Sequence, residues 1–281
     1  MIKIIGDTLS CISPDEAKAL GIGYIPQLII FDSETYRDDY EMTPRQFLKK
    51  LRTSSTLPKT AAPPPALYEP LYREYSEAGY TIIVVAPSAA VSGTVRSATV
   101  AAADFPNADI RVVDTGIIAG GLGAVLKQAQ QWAQAGMDAD TLVEKIKEMS
   151  QRHRVYFVVD TLEYLYKGGR IGAAKALFGS LLQVKPILTF RDNHIEPYES
   201  QRTQRKALAR LKEIVLSDCP RSPDAHLCLM HGDAEDQARA MAAEFSTLLD
   251  IPVERIPIYD LTPAILVHAG PGVLAASYFV A

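Results

Sequence analysis

The segment Thr81–Ala86 reads TIIVVA, a short run with a single polar residue at its start. A run this short and this apolar is typical of a strand that is buried on both faces of a parallel sheet. After a loop it is followed by Ser92–Gly93–Thr94, which has the composition of a helix start. Parallel strands need crossover connections, usually helices, so this pattern favours an α/β fold.

The same alternation continues along the chain, and the turn Asp192–Asn193 predicts a hairpin with antiparallel pairing in the second half. The predicted strands are Ile2–Ile5, Ile25–Phe31, Thr81–Ala86, Ile110–Val113, Val155–Asp160, Pro186–Phe190, His194–Tyr198, Leu227–Met230, Val253–Pro257 and Val273–Val280. The predicted helices start at Ser13–Pro14, Thr43–Pro44, after Pro63–Pro64–Pro65, after Ser92 and at Thr262–Pro263, with two more through Met149, and others cover Ala173–Leu182, Lys206–Leu216 and Glu235–Leu249.

The chain has 281 residues, about twice the usual domain size. We therefore predict two α/β domains. Residues 1–153 form an α/β/α domain with a mainly parallel sheet, and residues 154–281 form an α/β domain with a mixed or antiparallel sheet.

Composition excludes several classes of function. The net charge of −4 gives no global attraction for nucleic acid. The apolar runs are too short to span a bilayer, and Met1–Ile5 lacks the features of a signal peptide, which predicts a cytoplasmic protein. The cysteines Cys11, Cys219 and Cys228 form no CxxC pair, so neither a metal site nor a disulfide framework is indicated, and we expect no cofactor.

Three short polar motifs fall near predicted element ends in the first half. Ser92–Gly93–Thr94 offers hydroxyls and helix N-terminal amides to an anion, but taken alone an N-cap that binds nothing is the favoured interpretation. Thr60, in a predicted turn between two helices, offers a hydroxyl to a carboxylate, again with an N-cap as the simpler alternative. Asp7–Thr8 either orients a hydroxyl or forms a turn.

Two further motifs lie in the second half. The turn Lys167–Gly172 carries Arg170, whose planar fork suits a carboxylate or phosphate, and a basic surface turn is an equal alternative. His268 stands before Gly270 at a predicted helix end. Its imidazole either donates to an anion, with the helix C-terminus favouring the protonated form, or is structural.

Motifs for autonomous chemistry do not occur in the sequence. Gly121–Leu122–Gly123 lacks the third glycine of a dinucleotide fingerprint, and there is no HExxH, GxSxG or SxxK pattern. No general base stands next to a hydroxyl nucleophile in the sequence. The polar motifs therefore indicate a protein that holds an anion and does not cleave it.

The motifs in their order resemble those of the DegV family, over nearly the whole chain. They stand here as Asp7–Thr8, Thr60–Ala61–Ala62–Pro63, the segment from Ser92 to Ala98, the segment from Gly168 to Gly172, and the segment from His268 to Gly272. Each motif is weak alone, and the ordered set is specific. Ala61 and Ala62 replace the serine and glutamine usual in the family, and Gly6 replaces a usual serine.

The resemblance implies a two-domain fold that binds a long-chain fatty acid of the palmitate-to-oleate class between the domains, with the tail buried and the carboxylate at the interdomain cleft. It also implies that the chain is no enzyme itself. A separate fatty-acid kinase would use ATP to form the acyl phosphate. The positions that match the family's carboxylate contacts are Thr60 and Ser92, and Arg170 and His268 match the supporting network. Further supporting positions are Asp7, Gly93, Thr94, Gly169 and Gly270.

Alternatives remain open at this point. One alternative is a lipid-sensing regulator that meets no kinase. Another is a phosphotransferase or esterase that uses Ser92 and His268. The basic cluster Arg202, Arg205, Lys206, Arg210 and Lys212 docks an acidic kinase surface or is a solvated helix face. The segment Ala173–Leu182 lines a lipid tunnel or makes transient membrane contact, although ordinary core packing is favoured.

Overall fold

The computed structural model describes residues 1–178, 184–191 and 194–281. The fold divides into two compact units. The first unit contains Met1–Thr43 and Pro58–Gln151, and the second contains Pro44–Leu57 and Arg152–Ala281. Residues 44–57 thus group with the second unit although they precede most of the first unit in the chain.

The strands are β1 (Ile2–Asp7), β2 (Gly23–Ile25), β3 (Leu28–Phe31), β4 (Glu34–Arg37), β5 (Lys59–Ala61), β6 (Thr81–Ala86), β7 (Ile110–Asp114), β8 (His153–Val158), β9 (Lys185–Arg191), β10 (His194–Gln201), β11 (Cys228–His231), β12 (Ile258–Asp260) and β13 (Leu274–Phe279). The α-helices are α1 (Pro14–Leu20), α2 (Pro44–Thr53), α3 (Glu69–Glu77), α4 (Thr94–Ala102), α5 (Gly120–Gln134), α6 (Ala139–Gln151), α7 (Glu163–Lys167), α8 (Gln204–Asp218), α9 (Glu235–Leu249) and α10 (Pro263–Ala269).

The first unit is built on a parallel sheet with strand order β2-β1-β6-β7. Successive side chains of β6 point to opposite faces. Ile82 and Val84 pack with Tyr72 of α3 and Ala98 of α4. On the other face of the sheet, Leu126 of α5 lies against β1. The predicted α/β/α architecture is confirmed.

A second, antiparallel sheet of order β4-β3-β5 corrects two predictions in this unit. Ile25–Phe31 is not one strand, because Pro26 lacks the N–H needed to continue the ladder. β2 therefore stays in the parallel sheet, and β3 begins a new one. Thr60 does not lie in a turn, since β5 pairs with β3 and places Thr60 opposite Ile29.

The second unit is built on a six-stranded sheet of order β10-β9-β8-β13-β11-β12. β11 and β12 pair in parallel and the other neighbours pair antiparallel, so the predicted mixed sheet is confirmed. The side chains of α8 and α9 pack on one face of it around Leu211 and Phe245. The predicted hairpin is present, with His194 opposite Arg191, while its turn residues Asp192–Asn193 lie outside the described residues.

Two further predictions in the second unit need correction. Val253–Pro257 is a 3-10 helix (Val253–Arg255) that precedes β12, and Pro257 precedes the strand because it has no N–H to donate. The predicted helix Ala173–Leu182 begins as a 3-10 helix over Gly172–Leu177. Residues 179–183 lie outside the part of the chain that the structure describes, so the role of this segment stays a prediction.

Candidate functional site

The carboxyl ends of β1 and β6 meet where the strand order of the parallel sheet reverses. From β1 the chain crosses to β2 on one side, and from β6 it crosses to β7 on the other. In open α/β sheets such a switch point leaves a crevice in which ligands bind. Asp7 ends β1, and the loop after β6 carries Ser92 and Gly93 before α4 begins at Thr94.

Asp7 is the centre of a buried hydrogen-bond network. Its Oδ1 accepts a bond from the N–H of Leu9 at 3.0 Å. Its Oδ2 accepts from Nε2 of Gln27 at 2.7 Å and from Oγ1 of Thr94 at 3.0 Å. The Nε2 of Gln27 also donates to Oγ1 of Thr94 at 2.9 Å. One carboxyl group therefore ties together β1, the break between β2 and β3, and the start of α4.

Burial raises the pKa of Asp7 to about 7, although the hydrogen bonds from Thr94, Leu9 and Gln27 act in the opposite direction. A carboxyl group with this pKa is present in both protonation states near neutral pH. Asp7 therefore does more than form a turn, because its carboxyl group also accepts hydrogen bonds from Gln27 and Thr94.

Ser92 lies at the outer end of this network and is half-buried. Its Oγ is 2.9 Å from Oγ1 of Thr94, and it accepts a bond from the N–H of Thr94 at 3.3 Å. Gly93, and not Ser92, holds the N-cap position of α4. Ser92 is therefore not the N-cap residue itself, although its hydroxyl accepts the N–H of the first helical residue. A half-buried hydroxyl beside a helix N-terminus is an arrangement that can hold an anion.

The segment that carries Thr60 adjoins the Ser92 loop. A Cβ placed on Gly93 would lie 3.1 Å from the Cβ of Ala62, so the two segments touch at this point. Thr60 itself is half-buried on β5. The structure thus brings Asp7, Ser92 and Thr94 together by hydrogen bonds and places the Thr60 segment beside them.

Sequence reasoning missed two residues of this network, Gln27 and Asp38. Besides its side-chain bonds, Gln27 donates its backbone N–H to Asp38 at 2.9 Å, and the hydroxyl of Thr8 also donates to Asp38. Both residues are buried. The only sequence signal was Pro26, which interrupts an apolar run immediately before Gln27.

In the second unit, Arg170 belongs to a tight glycine turn, and His268 of α10 packs against that turn. Nη1 of Arg170 donates to the carbonyl of Gly168 at 2.7 Å. A Cβ on Gly168 would overlap Nδ1 of His268, so the imidazole lies directly against the backbone of the turn. Gly169 adopts a left-handed conformation with φ of 71°. Gly168 is therefore required because His268 packs against it, and Gly169 is required by the left-handed backbone of the turn.

His268 is held in its neutral form. Burial lowers its pKa to about 4, and the nearby charge of Arg170 acts in the same direction. The expectation that the C-terminus of α10 favours the protonated form is wrong, because desolvation outweighs a helix-dipole effect of about 1 kcal/mol. A neutral imidazole can still donate one hydrogen bond to an anion.

Replacing Arg170 with methionine is expected to raise the pKa of His268 from about 4 toward its ordinary value of 6.5, because the substitution removes a nearby cation. The pKa is read from the imidazole resonances in an NMR titration. His153 is an internal control in the same unit, since burial lowers its pKa to about 3 and the charge that acts on it is that of Arg154. An unchanged His268 pKa would show that Arg170 does not act on it.

The other motif glycine, Gly270, packs under an aromatic ring. Its φ of 74° and ψ of 174° lie in a region that only glycine adopts readily. A Cβ on Gly270 would overlap the ring of Tyr164. Tyr164 therefore fixes the end of α10, next to His268, against the Gly168 turn.

The basic residues considered for partner docking divide into two groups. Arg202, Arg205 and Lys206 are exposed and form no ion pair with any residue in the described ranges. Arg210 and Lys212 are engaged in ion pairs with glutamates of their own unit. The first three residues therefore carry exposed charges, whereas the charges of the last two are paired within the unit.

The described residues contain neither a metal-binding cluster nor a membrane-spanning helix. They contain no cluster of histidine, cysteine, aspartate or glutamate side chains arranged to hold a metal ion. No helix among them is both long and apolar enough to cross a membrane.

Comparison with known proteins gives matches along the whole chain. The family model described as "Uncharacterised protein, DegV family" matches residues 1–281. A DegV domain-containing protein of Streptomyces coelicolor is 34% identical over 280 residues, which cover 97% of this chain and 96% of that protein.

Solved structures also match this chain over its whole length. A fatty-acid-binding DegV family protein from Thermus thermophilus has a TM-score of 0.89 at 29% identity and covers 100% of this chain and 99% of its own. The fatty acid kinase B3 protein of Streptococcus pneumoniae, solved loaded with linoleic acid, has a TM-score of 0.84 at 18% identity and covers 100% of both chains. The second likeness shows a shared fold alone.

Proposed function

Because this chain belongs to the DegV family, we propose that it binds a long-chain fatty acid and presents the carboxylate to a separate, ATP-dependent fatty-acid kinase. The observation that carries the proposal is the full-length match to the fatty-acid-binding protein of Thermus thermophilus. The ligand class is palmitate to oleate, and the product of the kinase is the acyl phosphate. Such a reaction draws on cytoplasmic ATP.

The division of free energy between tail and head group supports the proposal. Each buried methylene of the tail stabilises the complex by about 0.8 kcal/mol, whereas an unpaired buried carboxylate costs several kcal/mol. We assign the carboxylate contacts to the hydroxyls of Thr60 and Ser92. Arg170 and neutral His268 support the bound head group. No cofactor is needed for binding of this kind.

The competing enzyme hypothesis, a phosphotransferase or esterase using Ser92 and His268, has weak support. A general base works best when its pKa is near the working pH. The pKa of His268 is about 4, so the imidazole is a poor base for the Ser92 hydroxyl at neutral pH. ATP or ester hydrolysis by the purified chain alone would revive this hypothesis.

A titration of the delipidated chain with monomeric oleate tests the binding step. Oleyl alcohol is the matched control ligand, because it has the same tail without the carboxylate. Oleate should bind more tightly by about 1.5–3 kcal/mol, the usual contribution of hydrogen bonds to a charged group. If neither oleate nor palmitate binds, the proposal is wrong. Equal affinity for oleyl alcohol and oleate would agree with a binding site for the tail but would contradict the assigned carboxylate contacts.

A charge-reversed variant tests the presentation of the carboxylate to a kinase. Arg202→Glu with Arg205→Glu should slow acyl-phosphate formation by a fatty-acid kinase and ATP by about tenfold, because an acidic partner surface would lose its attraction. Oleate affinity should not change.

The control for this variant is Lys18→Glu with Lys49→Glu, which makes the same charge change at two other exposed positions. It should leave the rate unchanged. Equal rates for the two charge-reversed variants would exclude Arg202 and Arg205 as a docking surface. Absence of any acyl phosphate with wild-type protein would instead favour the lipid-sensing regulator.

A further inference from the structure

The hydroxyl groups of Thr94 and Ser92 carry one hydrogen each, so they cannot donate to each other, to Asp7 and to a ligand at the same time. Oγ1 of Thr94 lies 3.0 Å from Oδ2 of Asp7 and 2.9 Å from Oγ of Ser92. A threonine hydroxyl carries one hydrogen and two lone pairs. Thr94 therefore donates either to Asp7 or to Ser92, and the protonation state of Asp7 decides which.

When Asp7 is ionised, it can only accept, so Thr94 must donate to it. The bond between Thr94 and Ser92 then uses the hydrogen of Ser92. In this state the Ser92 hydroxyl offers only lone pairs to a ligand. A carboxylate oxygen placed against it would meet another acceptor, unless Ser92 gives up its bond to Thr94.

When Asp7 is protonated at Oδ2, the direction of the whole chain of bonds reverses. Asp7 donates to Oγ1 of Thr94, Thr94 donates to Oγ of Ser92, and the hydrogen of Ser92 is free for a ligand. Gln27 is compatible with this state, because Oγ1 of Thr94 has two lone pairs and can accept from both Asp7 and Gln27.

We propose that Asp7 and Thr94 are positioning residues that couple fatty-acid binding to the uptake of one proton, which turns the Ser92 hydroxyl toward the ligand carboxylate. The inference rests on the proposed function and deepens it. The proton stays on Asp7 while the ligand carboxylate remains ionised. The site then holds its anion with the neighbouring charge of Asp7 neutralised, and Asp38 is the carboxylate that remains in the network.

The surroundings of Asp7 favour this coupling. Burial raises the pKa of Asp7 to about 7, so the proton is taken up near neutral pH. The titratable groups nearby include Tyr24 and Tyr68, whose pKa values are raised chiefly by burial and further by the charge of Asp7. They also include Asp38 and Cys11, whose charges act on Tyr24. None of these four groups is a cation that would hold Asp7 ionised.

The test compares oleate affinity of the wild type and Asp7→Asn between about pH 6 and about pH 8. Asparagine is uncharged, and its amide nitrogen at the Oδ2 position donates to Thr94 as the protonated acid would. Gln27 loses its bond to this position, because an amide nitrogen does not accept, and keeps its bond to Thr94. The dissociation constant of the wild type should rise about tenfold across this range, because the binding-competent fraction falls as pH passes the pKa of Asp7. The constant for Asp7→Asn should stay within about twofold. Free oleate, like other carboxyl groups, is ionised throughout, and His268 titrates below the range.

Calorimetry in buffers of different ionisation enthalpy gives a readout that a merely structural role would not move. At about pH 8 the wild type should take up nearly one proton per bound oleate, and Asp7→Asn should take up none. Thr94→Ser keeps the hydroxyl and should keep the proton uptake. Thr94→Val breaks the chain of bonds and should abolish it.

The outcomes separate the two claims. If the wild type binds oleate with no proton uptake and with the same pH profile as Asp7→Asn, the coupling is wrong and the proposed function stands. If wild type and both Thr94 variants fail to bind oleate at every pH, the proposed function itself is wrong.

Discussion

Replacing Ser92 with alanine is expected to weaken oleate binding by about 1.5–3 kcal/mol, which is roughly tenfold to more than a hundredfold in the dissociation constant. Under the proposal, the Ser92 hydroxyl donates to a carboxylate in a desolvated site, and bonds to charged groups are the stronger class. The fold should be little affected. The side chain is half-buried, and Gly93, not Ser92, holds the N-cap position of α4. Isothermal titration gives the change directly.

The matched control for Ser92→Ala is Ser97→Ala. Ser97 lies in the first turn of α4, just after the loop that carries Ser92, so the chemical change is the same and the position is close by. Its affinity for oleate should equal that of the wild type. If Ser92→Ala also binds like the wild type, Ser92 is not a carboxylate contact. A loss of binding by Ser97→Ala as well would mean that the helix, and not the hydroxyl, is responsible.

The replacement Gly270→Ala is expected to lower the free energy of unfolding by about 3 kcal/mol. Two costs combine here. The backbone at φ of 74° and ψ of 174° strains any residue with a side chain, and the new methyl group would overlap the ring of Tyr164. Because Tyr164 and Gly270 lie near His268 and the Gly168 turn, oleate affinity should fall in parallel.

Gly169→Ala separates backbone strain from overlap. Gly169 also has a positive φ, of 71°, but a Cβ there would meet nothing within 4 Å. The free energy of unfolding of Gly169→Ala should fall by about 1 kcal/mol, the cost of a left-handed conformation alone. Urea unfolding followed by circular dichroism, with hydrogen exchange of β13 as a local probe, compares the two variants. Equal decreases in the free energy of unfolding of the two variants would show that overlap with Tyr164 does not destabilise Gly270→Ala.

Much of the fold follows from local sequence, and its exceptions have physical causes. The helix Glu235–Leu249 was predicted with its observed bounds, and the strand Thr81–Ala86 also matches. The helix has buried residues at helical spacing and the strand is a continuous apolar run, and tertiary packing reinforces both. Two of the errors fall at Ile25–Phe31 and Val253–Pro257, where strands were predicted but a proline removed a ladder donor.

The site was predictable only where its residues stand in motifs. Ser92, Thr94 and Asp7 could be placed at strand ends from sequence, and the structure joins them by hydrogen bonds. Gln27 and Asp38 could not, because an isolated polar residue carries no sign of the partner it meets after folding. The neutral state of His268 was also out of reach, since it depends on burial and on the approach of Arg170.

The most direct test of the proposed function is native mass spectrometry of the chain purified from a bacterial host, followed by organic extraction of any ligand. The account predicts one long-chain fatty acid of the palmitate-to-oleate class per chain. An empty protein that also refuses added oleate and palmitate would contradict it, and Ala61 and Ala62 would then be the first positions to examine for a changed ligand.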